Sequence, residues 1–290
     1  MFDMVSRRGF VSLSAAAAGL GLAGCSGNKA SKPAGSDAGS AKSSSKNPAV
    51  ELQIFAANSL EKALPEVQEL YTDQTGTTFA DTQFKASGDL VEQMKAGAAV
   101  DVLITASKGT MDDAETAELV DTDTREDMFV NDLVIIRAEG SDAKVEAIAD
   151  VVNLDGKIAI GDAKTVPAGK YANQALASVG LYTGTEGDDG EYAPEIADKV
   201  ALADKVGTAA AYVSTGDCVA GFVYSSDIYR YDGIEEAFVC PEDSHKPIVY
   251  PGVVAESSEH ADEAKAFIDF CLSNKKAQKI WAKYGFELSE

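Results

Sequence analysis

The chain predicts an α/β architecture built on mixed, mostly parallel sheets with helices on their faces. Three observations carry this. Short apolar, β-branched runs at 100–105, 157–160 and 219–224 alternate with segments of helical periodicity. The run at 100–105 is largely apolar and β-branched, as in a buried parallel strand. The loops that follow several of them hold Ser, Asn, Gly and Pro, the residues of strand-to-helix turns, where α/β sheets bind ligands.

Taken in order, 52–56 is the opening strand. Leu60, Leu64, Val67 and Tyr71 then share one helical face. Asn58 and Glu61 have capping-box spacing, which sets the helix start at Asn58-Ser59. Pro65 falls inside that helix and predicts a bend or a strained second turn. Residues 78–84 read as a second strand. After Ser87, Leu90, Val91 and Met94 form a short amphipathic helix ending near Gly97. The buried strand 100–105 follows, and a similar run begins at 131–137. Strand 157–160 leads through Asp162 into a helix over 168–179, with Pro167 suited to its first turn because a proline lacks the N–H left unbonded there. Residues 183–190, rich in Gly and Asp, predict an exposed loop. A helix over 206–213 precedes strand 219–224. Strand 248–255 is interrupted by Pro251-Gly252, and helices over 260–272 and 275–284 close the chain.

The N-terminus reads as an address. Ser6-Arg7-Arg8-Gly9-Phe10 precedes an apolar run that ends in Leu22-Ala23-Gly24-Cys25. This predicts a twin-arginine lipoprotein signal peptide over 1–24, with lipid attached to the Cys25 thiol. The run is too short for a permanent membrane span. Residues 25–48 are Ser, Ala, Gly, Lys and Pro without a bulky apolar side chain, hence a flexible tether reaching roughly 25 Å.

The remaining 49–290 can bury a large core in one domain or two lobes. The signal contributes +1 and the tether +3 to the chain's −22, which leaves the folded part near −26. That charge argues against nucleic acid as partner. It also repels anions at long range, so an anion site here must win by close contacts. Cys218, Cys240 and Cys271 match no zinc spacing; Cys218 with Cys240 as a disulfide, or all as buried free thiols, both remain open. His245 and His260 are assigned no metal.

Four separated segments each offer neutral hydrogen-bond donors at a loop or helix start. They are Ala57-Asn58-Ser59-Leu60, Phe84-Lys85-Ala86-Ser87-Gly88, Val166-Pro167-Ala168-Gly169 and Gly221-Phe222-Val223-Tyr224-Ser225-Ser226-Asp227. Helix N-termini carry unpaired N–H groups and the positive end of the dipole, so such starts suit oxyanions. With Ala96-Gly97-Ala98-Ala99-Val100-Asp101-Val102, Pro241-Glu242-Asp243-Ser244-His245-Lys246 and Lys283-Tyr284-Gly285-Phe286, and in this order, they resemble the molybdate-binding components of ABC uptake systems.

The resemblance implies a type 2 periplasmic-binding-protein fold: lobe 1 from 49–131 plus 250–290, lobe 2 from 132–249, hinged near Asp132 and Tyr250. It implies that Ser59 and Ser87 donate hydroxyls and backbone N–H groups to a tetrahedral oxyanion. Ala168 and Val206 would donate backbone N–H groups, and Tyr224 its phenol. Asn58, where relatives have a small residue, is a further candidate or only a helix cap. Residues 182–194 are longer than in common relatives. The implied protein is an extracytoplasmic, membrane-anchored monomer. It takes molybdate or tungstate, serves an ABC permease, needs no cofactor and is not an enzyme. Each hydrogen bond to a charged group is worth roughly 1.5–3 kcal/mol, so five to seven reach around 10 kcal/mol, a sub-micromolar affinity without a salt bridge.

Two rival readings stand beside it. Ser59-Leu60-Glu61-Lys62 fits the S-x-x-K pattern of serine hydrolases, but the pattern recurs at Ser43 to Lys46 and Ser141 to Lys144, and its companion motifs are absent. Sulfate or phosphate would use the same fold. Both are smaller tetrahedra, and a donor-only site offers no acceptor to phosphate's proton.

Overall fold

The computed structural model describes residues 50–184 and 186–289. The signal peptide expected at 1–24, the lipidated Cys25 and the tether at 25–48 lie outside the described residues. In chain order the first part contains β1 (Glu51–Leu52), β2 (Ile54–Ala57), α1 (Ala63–Thr75), β3 (Thr78–Phe79), β4 (Gln83–Lys85), α2 (Ser87–Lys95), β5 (Val102–Ile104), α3 (Lys108–Thr116) and β6 (Glu126–Asn131). Next come β7 (Leu133–Ala138), β8 (Ile158–Gly161), α4 (Pro167–Ser178), α5 (Pro194–Ala197), β9 (Val200–Ala203), α6 (Val206–Ser214), β10 (Ala220–Tyr224) and β11 (Ile234–Val239). The chain ends with β12 (Ile248–Val254), α7 (Ala261–Ser273), α8 (Lys275–Lys283) and β13 (Glu287–Leu288).

These strands form two main sheets. One has the order β13-β6-β12-β5-β2-β4, the other β11-β7-β10-β8-β9, and β1 pairs with β3 beside them. The chain leaves the first sheet between Asn131 and Leu133 and returns between Val239 and Ile248. Each sheet thus centres one lobe.

The pairing is mixed, but the expected parallel majority holds only for part of each sheet. In the first lobe β2 pairs in parallel with β4 and β5, whereas β12 and β13 return antiparallel. In the second, β8 pairs in parallel with β9 and β10, while β7 runs antiparallel to β10 and β11. The antiparallel strands include those that carry the chain between lobes, which reverses their direction relative to the βα units.

Several local expectations need correction. A 3₁₀ turn, Asn58–Leu60, precedes α1, which starts only at Ala63. Asn58 makes no capping bond; its Nδ2 instead donates to Glu61 Oε2 at 2.8 Å. Pro65 therefore lies in the first turn of α1, where a missing N–H costs no helical bond. The strand expected over 78–84 is two short ones, β3 and β4. Pro251-Gly252 does not interrupt β12; the register with β6 shifts between Tyr250 and Pro251 and absorbs the proline as a bulge. Cys218, Cys240 and Cys271 are buried free thiols.

The first lobe is held by an aromatic cluster. Tyr71 of α1 packs edge-on against Phe267 and Phe270 of α7 at centroid distances of 5.2 and 4.9 Å. Phe129 of β6 meets Trp281 of α8 at 4.4 Å. In the second lobe the 183–190 loop lies largely at the surface but is pinned to α4. Asn173 Nδ2 bonds Gly187 O at 2.8 Å, Gln174 Nε2 bonds Glu186 O at 2.9 Å, and Lys170 pairs with Asp188.

Candidate functional site

The five residues Ser59, Ser87, Ala168, Val206 and Tyr224 all stand at the carboxyl ends of parallel-paired strands. Ser59 follows β2, Ser87 follows β4, Ala168 opens α4 after β8, Val206 opens α6 after β9, and Tyr224 ends β10. Though far apart in the chain, all five line one small cavity between the lobes, together with Asn58. It measures ≈ 10 Å³, room for about one water-sized sphere.

Local sequence explains the convergence. Ser87 is the first residue of α2 and Val206 the first of α6; Ala168 follows Pro167 at the head of α4. First-turn N–H groups have no intrahelical acceptor and aim along the helix axis. Gly169 lets α4 close on β8, since a Cβ there would sit 2.0 Å from Gly161 O.

The hydroxyls are oriented from behind. Ala106 N donates to Ser87 Oγ at 3.0 Å, and Ser59 Oγ lies 2.9 Å from Tyr250 Oη. Tyr224 is 1% exposed, and its Oη finds no hydrogen-bond partner among the described residues. A buried, unpaired hydroxyl costs free energy unless a ligand meets it. Burial pushes the Tyr224 phenol well above its ordinary pKa, so it stays a proton donor.

Among the described residues, no carboxylate lines the cavity. Lys85 does, but its Nζ donates to Gln93 Oε1 at 3.1 Å. The site is thus walled chiefly by neutral donors.

Behind it lies a buried charged network that sequence reading did not anticipate. Arg230 is held by Asp227, three residues earlier, and by Glu61 of the other lobe at 2.9 Å. Its Nη2 also reaches Asn58 Oδ1 at 3.4 Å. Asn58 Oδ1 accepts the Gly207 N–H at 3.0 Å, so the Asn58 amide is largely engaged in joining the lobes. Burial pushes the Asp227 carboxyl up, and the guanidinium beside it opposes this. The one available hint was the spacing of Asp227 and Arg230; their link to Glu61 spans the cleft. Tyr250 was expected only near a hinge, yet its hydroxyl lies 2.9 Å from Ser59 Oγ, and Asn131 stands behind it, bonding Tyr250, Ser225 and Ser226.

Two lobes, each offering strand ends and helix starts to a shared cleft, define a solute-binding protein. The chain belongs to the bacterial extracellular solute-binding proteins, whose family model matches residues 52–287. It is 32% identical over 242 residues to the molybdate-binding protein ModA of Escherichia coli, covering 82% of this chain and 89% of that protein. YvgL of Bacillus subtilis, ascribed to the ABC transporter substrate-binding lipoproteins, is 29% identical, with 94% and 96% covered. A solved Clostridium difficile substrate-binding domain, ascribed to a molybdenum ABC transporter, is 33% identical with a TM-score of 0.62, covering 83% of this chain and all of that one.

Proposed function

We propose that this protein captures molybdate, and tungstate with it, for an ABC permease. It works as a monomer tethered to the outer face of the cell membrane through lipidated Cys25, after export by the twin-arginine route, and it performs no chemistry. Ser59, Ser87 and Tyr224 hold the oxyanion with hydroxyls, and Ala168 and Val206 with backbone N–H groups. The observation that carries this reading is the convergence of these donors on one interlobe cavity, with the Tyr224 hydroxyl left unpaired there. The ModA relatives support the choice of anion. The lipobox-like Leu22-Ala23-Gly24-Cys25 supports the anchor.

Neutral donors suit a dianion in a protein of this charge. They give close, directional hydrogen bonds and leave no buried cation to be compensated when the lobes open. Isothermal titration against molybdate, tungstate, sulfate and phosphate tests the reading. Molybdate and tungstate bind at sub-micromolar levels and the smaller anions much more weakly; sulfate binding as tight as molybdate would falsify it.

A further inference from the structure

We infer that Asn131 and Tyr250 set the direction of the Ser59 hydroxyl, and that this makes the site discriminate against oxyanions carrying a proton. The inference rests on the oxyanion reading above and assigns a specificity-determining role to two residues that do not line the cavity.

The argument starts from a group that can only donate. The backbone N–H of Asp132 bonds Asn131 Oδ1 at 3.0 Å, which fixes the orientation of the amide. Ser225 Oγ donates to the same oxygen at 2.7 Å. Asn131 Nδ2 therefore faces Ser226 Oγ at 2.8 Å and Tyr250 Oη at 3.4 Å. The fully buried Tyr250 hydroxyl lies 2.9 Å from Ser59 Oγ, a pair in which either oxygen can donate, and the Asn131 proton on Tyr250 Oη favours the arrangement in which Tyr250 donates to Ser59. In that arrangement one side of Ser59 Oγ is occupied by an incoming proton, and the Ser59 proton is left for the cavity side. Ser87 reaches the same state through a different donor, the Ala106 N–H.

Both serines thus present protons to the cavity, beside helix-start N–H groups. An anion whose oxygens are all bare is matched at every contact. An anion with an O–H meets another proton where it needs an acceptor, and loses that hydrogen bond. Tyr250 acts here as a positioning residue. Its ring also packs edge-on against Tyr224 at 5.7 Å and Phe286 at 5.5 Å, contacts that phenylalanine retains.

Sulfate and phosphate provide the test. In mildly alkaline buffer both are dianions of similar size, and only phosphate carries a proton. Each competes with molybdate for wild type, Tyr250→Phe and Asn131→Ala, with folding checked by circular dichroism. In wild type sulfate competes better than phosphate. In Tyr250→Phe the Ser59 hydroxyl is free to turn and accept, and the sulfate-to-phosphate ratio narrows by about tenfold. Asn131→Ala shifts it in the same direction and carries the test alone if Tyr250→Phe does not fold. Variants that bind every anion more weakly but keep the wild-type ratio would overturn the role and leave only packing. Wild-type protein that fails to bind molybdate would instead defeat the underlying function.

Discussion

The backbone N–H of Gly207 donates to Asn58 Oδ1 at 3.0 Å, joining two lobes through residues 149 positions apart. The same oxygen lies 3.4 Å from Arg230 Nη2, and Arg230 reaches back across the cleft to Glu61 at 2.9 Å. These contacts span the two lobes, so separating the lobes would break them. Parting of the lobes would expose the Gly207 N–H and Glu61 to water. Asn58→Ala therefore acts on closure: it leaves a buried N–H unpaired in the closed form alone, at about 1–3 kcal/mol. Molybdate affinity measured calorimetrically falls roughly tenfold or more. Wild-type affinity in this variant would show that the clasp plays no part in closure.

Gly88 offers a steric version of the same test. Its N–H bonds Thr165 O at 3.0 Å across the cleft, and a Cβ would sit 2.9 Å from Thr165 Cα and 3.0 Å from Thr165 O. Within α2 itself alanine is favoured over glycine. Gly88→Ala is expected to keep or slightly raise stability and to lower molybdate affinity more than tenfold. Small-angle scattering should show a more open form with ligand present; scattering identical to wild type would refute this.

Tyr224→Phe separates binding from folding by sign. Removing a buried hydroxyl with no partner relieves a desolvation cost of about 1–3 kcal/mol in the ligand-free closed form. The same change deletes a donor to the oxyanion. Affinity should drop about tenfold while the ligand-free melting temperature holds or rises. Ser87→Ala should weaken binding similarly but lower stability, because Ala106 N–H loses its acceptor. Unchanged affinity in both would place the anion elsewhere.

The pH profile follows from the phenol. An unperturbed tyrosine loses its proton near pH 10. Burial raises the Tyr224 pKa well above that, so the donor persists as pH rises. Molybdate affinity should stay flat from neutrality to about pH 10. A fall in affinity centred there would mean that Tyr224 titrates as if solvated.

The thiols give a check on the core. Cys218, Cys240 and Cys271 are buried and unpaired, and burial pushes the Cys240 thiol up to about 12. A thiol reagent should modify none of these three in folded protein and all three after unfolding, and reductant should leave the melting temperature unchanged. A sub-stoichiometric count after unfolding would reveal a disulfide.

Local chemistry was legible wherever a short segment determines its own structure. Pro167 at the head of α4 and Ser87 at the head of α2 follow from capping and backbone preferences confined to one turn. The helical stripe Leu64, Val67 and Tyr71 follows from periodicity. The candidate donors were legible as an ordered set because each lies in a strand-to-helix or strand-end segment of recognisable composition. The helix over Lys108–Thr116 and the strands Val200–Ala203 and Ile234–Val239 were not read: the helix is strongly polar and the strands are short and only half buried.

The sequence by itself determined which atoms can donate to an anion and that they sit at strand and helix ends, because those properties are set by residue type and by neighbours within one turn. Tertiary structure alone decided that they share one cavity, that β12 returns antiparallel through a bulge, that Asn58 clasps Gly207, and that Asn131 and Tyr250 stand behind Ser59. Each of those outcomes depends on groups brought together from distant parts of the chain. Hydrogen-bond geometry is decided within tenths of an ångström, a scale on which sequence separation carries no information.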